Sequence, residues 1–314
     1  MRYPFFELLA CPACSGAVIP KDGAGEGIVC VECASRYKAS PDIDQLDLRL
    51  RSPINRNVAF RLGASRQYPE SVFSELSAKV NSELPEWKNV DLPFDLTNGN
   101  RLTPELVSYF PRAQGEDRWM LDLGCGSRIF EEFCRNTTGF RYVGIDYDGP
   151  NPDILADAHA LPFKSERFDF VLSIAVLEHL AFPDVAMAEV YRVLKPGGIF
   201  IGTVAFLETF HMNSYFHMTH LATLSVLDQS GFDVDVIAPN TQWSGLRAQA
   251  EMALFPGLPG ALKRAMIAPA DLSSTALWAL KRAKHRIRHD DGATRARALE
   301  TTGGFRFVAH RPAA

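Results

Sequence analysis

The sequence predicts an α/β fold with a small cysteine-bearing module in front of it, on three observations. From Trp119 onward short apolar runs alternate with segments of helical period, glycines stand at the first strand-to-helix junction, and four of the six cysteines fall within the first 33 residues. At 314 residues the chain exceeds what a single core usually supports, so one large domain plus a smaller unit is expected. Hydrophobic residues (46%) and charged residues (22%) stand in ordinary globular proportion, and the net charge of -4 argues against a wholesale nucleic-acid coat. No run approaches the roughly 18–20 apolar residues of a membrane-spanning helix. The start, Met1 to Glu7, lacks the apolar stretch and cleavage site of a signal peptide, so a cytoplasmic protein is expected.

The first element is Cys11-Pro12-Ala13-Cys14, followed after fifteen residues by Cys30-Val31-Glu32-Cys33. Each knuckle presents two thiolates, and two knuckles close a tetrahedral shell around zinc with no open position, which is a structural site and not a catalytic one. Two redox disulfides are the alternative, disfavoured by a reducing compartment. With Gly23, Gly25 and Gly27 in a hairpin and the strand Arg36-Tyr37-Lys38, the segment resembles the Trm112-like zinc-ribbon family over residues 1–50. Prolines at 53, 69, 85, 93, 104 and 111 then forbid one long helix, so residues 51–112 read as a helical linker or cap. Pro69 to Leu84, with Val72, Phe73, Leu76 and Val80 at helical spacing, is its clearest helix.

The strand Trp119 to Leu123 runs into Gly124-Cys125-Gly126-Ser127 and a helix from Ile129 to Arg135, an arrangement that brings backbone N–H groups against a ligand. A second strand, Arg141 to Ile145, ends in Asp146, twenty residues after Gly126, where a carboxylate accepts ribose hydroxyls. Asp157-Ala158, the strand Phe168 to Ser173, Leu177-Glu178-His179-Leu180 and Leu194-Lys195-Pro196-Gly197-Gly198 before Ile199 to Thr203 complete the series. A nicotinamide-binding turn would need glycine where Ile129 stands.

On these motifs residues 119–205 resemble class I S-adenosylmethionine-dependent methyltransferases of the small-molecule type. The resemblance implies a Rossmann-like seven-stranded sheet over residues 113–314, with the zinc ribbon in front and a helical insertion at about 240–302 before the last strand. It also implies that Asp122, Gly124, Cys125, Gly126 and Ser127 face the amino-acid end of the cofactor, that Asp146 and Tyr147 meet the ribose and Asp157 and Ala158 the adenine, and that Ser173 and Ala175 line the methionine side. One position departs from the family: where a third glycine usually stands two residues after Gly126, this chain has Arg128, whose side chain must point away from the cofactor.

Beyond the strand ending near Thr203 the chain carries His211, Tyr215, His217 and His220. Ligands of this fold class bind beyond the carboxyl ends of the strands, so these residues are candidate bases or substrate-orienting groups, or else a connector that caps the pocket. His179 either touches the pocket or orders its loop. The strand Gly231 to Ile237 precedes the insertion, and Gly304 to Ala309 follows it. Within the insertion, basic residues 281–288 read as a solvated helix face or as a contact to an anionic membrane or phosphate. The expected activity is S-adenosylmethionine-dependent O-methylation of a small molecule, a sugar hydroxyl first among acceptors. RNA base methylation and a non-catalytic scaffold with a degenerate fold are the alternatives.

Overall fold

The structure is a computed structural model that describes residues 3–21, 27–40, 45–50, 101–287 and 292–313. Gly23, Gly25, the helix expected from Pro69 to Leu84, the rest of the linker up to residue 100, and Arg288 lie outside the described residues.

The front module contributes β1 (Val18–Pro20), β2 (Ile28–Cys30), β3 (Arg36–Ser40) and β4 (Gln45–Asp47). After α1 (Pro104–Val107), capped by the Thr103 hydroxyl accepting from the Leu106 amide, come β5 (Trp119–Leu123), α2 (Glu131–Thr138), β6 (Arg141–Asp146), β7 (Ile154–Leu155) and β8 (Phe168–Ile174). Then follow α3 (Pro183–Val193), β9 (Leu194–Ala205), α4 (His220–Gln229) and β10 (Asp233–Pro239). The insertion holds α5 (Gly245–Gln249), a π-helical turn (Ala250–Leu254), α6 (Gly260–His285) and α7 (Gly292–Thr301), and β11 (Gly304–His310) closes the sheet.

Among the described residues eleven strands run in the order β1-β2-β3-β4-β7-β6-β5-β8-β9-β11-β10. From β7 to β9 the neighbours are parallel, and β11 lies antiparallel between β9 and β10. That inserted return strand departs from the all-parallel dinucleotide-binding order. The seven expected strands are therefore present, and the sheet exceeds seven because β4 pairs in parallel with the edge strand β7, Leu46 opposite Ile154 and Asp47 opposite Leu155.

Alternation along the strands divides the core. Leu121, Leu123, Val143 and Ile145 face one side, and Met120, Tyr142, Phe170 and Leu172 the other. Phe5, Leu8, Leu9, Cys11, Ile28 and Leu46 of the front module all join the first cluster. Backbone bonds seal the junction: the Ala10 amide donates to Pro162 O at 3.0 Å and the Lys164 amide to Leu8 O at 2.9 Å. The ribbon is thus built into the sheet and shares its core. In contrast, α6 leaves Leu272, Leu277 and Leu280 about two-thirds exposed, with only Ile267 buried along its length. Among the described residues no helix is long and apolar enough to cross a membrane.

Candidate active site

The turn after β5 is where sequence and geometry meet most closely. Gly124 takes φ +74°, and a Cβ on it would lie 2.3 Å from Val176 Cγ2, so only glycine fits. Gly126, at φ +54°, has open space on the side where a Cβ would project. The amides of Gly124 and Cys125 both donate to Ile145 O at 2.9 Å, which clamps the turn to β6. Ser127 is exposed at the end of the turn. Arg128 is left-handed (φ +59°), the conformation a glycine would supply, and its guanidinium turns away to Asp153 Oδ1 at 2.5 Å. The departure at this position is accommodated by an ion pair, and the inner face of the turn stays open.

Two carboxylates sit beneath this turn with different tasks. Asp146 accepts three backbone amides, from Gly126 on Oδ2 (2.8 Å) and from Asp148 (3.1 Å) and Gly149 (2.8 Å) on Oδ1, so its orientation is fixed at the end of β6. Asp122 is buried and accepts the Tyr142 hydroxyl at 2.6 Å. Burial pushes its pKa up to about 7, with the Tyr142 bond opposing. Burial also pushes the Cys125 thiol up, so it is no nucleophile.

Around the other expected positions, Tyr147 is exposed and its ring lies under the Arg49 guanidinium at 5.7 Å. Asp157 caps the short turn Ala158–Ala160, accepting the His159 amide at 2.9 Å and pairing with His159 Nδ1 at 2.6 Å. Burial raises the Asp157 carboxyl, but the His159 contacts outweigh it and hold the pKa below the usual value. His159 Nε2 accepts from the Phe182 amide, so Nδ1 carries the proton. Ser173 is fully buried and its hydroxyl has no partner. Ala175 is left-handed (φ +54°) with its amide on Thr203.

The histidine segment folds back over the carboxyl ends of β8 and β9. Tyr215 and Phe216 amides both donate to Glu178 O, at 2.7 and 3.1 Å, and the Met218 amide donates to Ala205 O at 2.7 Å. This brings His211 within 5.1 Å of His179 and 6.4 Å of His217, ring centre to ring centre. Tyr215 is exposed at the rim. His220 stands apart from this group: it begins α4 and its ring packs on Phe305 at 5.6 Å. Burial lowers the pKa of His179, His217 and His220, with His211 adding to the effect on the first two. Asp146 pulls His179 the other way, which places the cluster within electrostatic reach of the glycine-turn carboxylate.

Sequence reasoning missed four supports of this site. Tyr142 under Asp122, Asp153 under Arg128, and the Trp243 indole donating to Glu208 Oε1 at 2.8 Å are joined only by the fold. The fourth, Glu178, left a signal: a carboxylate between Leu177 and Leu180 in an otherwise apolar stretch, and it is fully buried.

Residues 121–202 match the methyltransferase domain family. This segment is a methyltransferase domain. The chain is 30% identical over 95 residues to the human mitochondrial arginine-hydroxylase NDUFAF5, covering 27% of this chain and 28% of that protein. It is 28% identical over 158 residues to the ubiquinone biosynthesis O-methyltransferase of Ruegeria pomeroyi, covering 42% of this chain and 63% of that one. Among solved structures, the Haemonchus contortus phosphoethanolamine N-methyltransferase 2 with S-adenosyl-L-methionine aligns at 17% identity and TM-score 0.41, covering 64% of this chain and 50% of that one. The chain thus spans less than two thirds of the length of these relatives.

Against the flank of the methyltransferase domain, Cys11, Cys14, Cys30 and Cys33 bring their sulfurs within 4.8 Å of one another. Cys11 and Cys33 stand 3.6 Å apart and Cys14 and Cys30 3.5 Å, pairs that cross between the knuckles. A tetrahedral ion with Zn–S bonds of ~2.3 Å needs sulfurs about 3.8 Å apart. Amides of Gly16, Glu32 and Cys33 donate to Cys14 and Cys30, support suited to thiolates. The four thiols fit a closed tetrahedral metal site.

Proposed function

We propose that this protein transfers a methyl group from S-adenosylmethionine to a hydroxyl oxygen of a small molecule, with a sugar or similar hydroxylated metabolite as acceptor. The observation that carries the reading is the Asp146 carboxylate, fixed by the Gly126 amide beside the open inner face of the glycine turn and within electrostatic reach of His179. When bound, the cofactor supplies a methyl group on a sulfonium, an electrophile open to in-line attack. Asp146 and Tyr147 hold the ribose, Asp157 and Ala158 the adenine, and Asp122 with Gly124 to Ser127, Ser173 and Ala175 the methionine end. The chain's remaining tasks are to orient the acceptor oxygen and take its proton. His217, exposed on the loop and with a pKa held below the ordinary imidazole range by desolvation and by His211, is neutral at pH 7 and able to accept it. His211 and Tyr215 complete the acceptor wall in this reading, and His220, packed on Phe305, supports it from α4.

The functional division is a zinc ribbon at residues 1–50 and a catalytic unit at residues 113–314, with zinc in a structural role at Cys11, Cys14, Cys30 and Cys33. Calorimetric titration with S-adenosylmethionine tests the core of the proposal, with reduced nicotinamide cofactors as the control. Saturable binding of the first alone is expected, followed by transfer of a labelled methyl group to sugar acceptors. Absence of binding overturns the reading, and labelling of RNA instead of sugars corrects the acceptor.

A further inference from the structure

The loop that lies over the strand ends places three chemically distinctive groups together. Glu178, His179 and His211 each offer one ligand atom, and these atoms all lie within 4.8 Å of one another. Glu178 is fully buried, and neither of its carboxylate oxygens has a hydrogen-bond partner of good geometry. An unpaired buried carboxylate is costly, so such a group is expected to be neutral or to meet a cation.

The two imidazoles are prepared in the same manner. His211 Nδ1 lies 2.8 Å from Thr209 O, which makes Nδ1 the donor and leaves the Nε2 lone pair free on the cluster side. His179 hydrogen-bonds the Met212 backbone, and its Nδ1 is buried without a partner, so that bond falls to Nε2 and the Nδ1 lone pair is the free one. A backbone carbonyl holding one ring nitrogen while the other points inward is the usual outer support of a metal-ligating histidine. A second carboxylate stands behind: Glu208 Oε2 is 3.7 Å from His211 Nε2, with Oε1 held by Trp243.

We propose that Glu178, His179 and His211 form a binding site for one divalent transition-metal ion at the acceptor end of the domain. Two imidazoles and one carboxylate, without thiolate, suit zinc, cobalt, manganese or ferrous iron better than magnesium or calcium, which call for oxygen ligands. Three protein ligands leave coordination positions open. An oxygen of the acceptor, a hydroxyl or carboxylate, is the class of ligand that fills one of them, and this last step rests on the methyl-transfer reading above.

The full chain, with its ribbon first filled by one equivalent of zinc, is titrated with Co²⁺ and the bound cobalt and retained zinc are measured after equilibrium dialysis. One further ion per chain is expected with the zinc retained. Glu178→Gln and His211→Ala should each weaken cobalt binding at least tenfold. His179→Ala serves in place of either variant whose circular dichroism departs from that of the parent chain. No second ion, or equal cobalt binding in folded variants, overturns the site. S-adenosylmethionine titration of the same samples separates the two proposals: cobalt bound without cofactor affinity upholds the metal site and removes the methyl-transfer reading.

Discussion

Leu46→Ala would test whether the ribbon and the methyltransferase domain fold as one unit. Leu46 is fully buried in the core cluster that holds Leu121, Val143 and Ile154, and it pairs with Ile154 across the β4–β7 junction. Removing a buried leucine side chain costs about 3 kcal/mol, the transfer of the lost methyl groups plus the cavity left behind. For 314 residues the unfolding entropy is ~0.66 kcal/mol/K, so that loss lowers the melting temperature by about 4–5 °C. Differential scanning calorimetry should show a single transition, displaced as a whole. The same substitution loosens the stretch beyond Asp146, because Gln45 donates to Pro152 O at 3.1 Å and the Leu48 amide to Leu155 O at 2.8 Å. Weaker S-adenosylmethionine binding should therefore accompany the shift. Two separate transitions, with only the smaller one displaced, would refute the shared core.

Other substitutions probe the site more directly. Asp146→Asn keeps an acceptor for the Gly126 amide but removes the charge, and Asp146→Ala removes both; cofactor affinity measured by calorimetry should fall tenfold or more in the first and further in the second. Because the folded-state pKa of Asp122 is raised to about 7, its protonated form is favoured on folding; the stability it lends is fully present below its ordinary value of 3.8 and is lost as pH rises through 7. Between those values urea midpoints should decline with a contribution of about 1 kcal/mol per pH unit, and Asp122→Asn should flatten that slope. His217→Ala should leave cofactor affinity intact and reduce turnover about a hundredfold, seen as a fall in kcat with labelled cofactor; an unchanged kcat would remove His217 as the base.

The parallel strands were legible because both of their faces are buried: Trp119 to Leu123 and Phe168 to Ser173 are apolar runs that only a covered sheet explains. The glycine turn and Asp146 were legible through spacing. β7 was not, since two residues carry no period and its existence depends on partners at Leu46 and Ile145. Nor did spacing reveal that Leu194 to Gly198, expected to precede the strand from Ile199, begins the twelve-residue strand β9; Gly197 and Gly198 pair there with Arg311 across the sheet end. The Glu178–His179–His211 cluster joins residues about thirty positions apart, and only the return of the loop onto Glu178 O brings them together. The ribbon's cysteines were plain in the sequence. Its incorporation into the sheet was not, because β4 has no signature apart from the edge it covers.

That covered edge bears on the one motif position where the chain departs from the methyltransferase pattern. A left-handed residue other than glycine costs about 1–2 kcal/mol, so Arg128 needs a compensating contact. It finds one in Asp153, whose second carboxylate oxygen accepts the Gly144 amide at 2.8 Å and whose own amide donates to Gly144 O at 2.9 Å. From the ribbon side, the Leu46 amide reaches Asp153 O at 3.4 Å, while Arg49 donates to Tyr147 O at 3.0 Å. The arginine in the glycine turn and the strand added by the ribbon therefore fasten the same residue from opposite sides. An unassisted edge strand of two residues would hold Asp153 poorly, and Arg128 would then be strain without support. The ribbon thus does more than cap an edge: it steadies the partner that allows an arginine where a glycine is expected, and with it the open face of the turn.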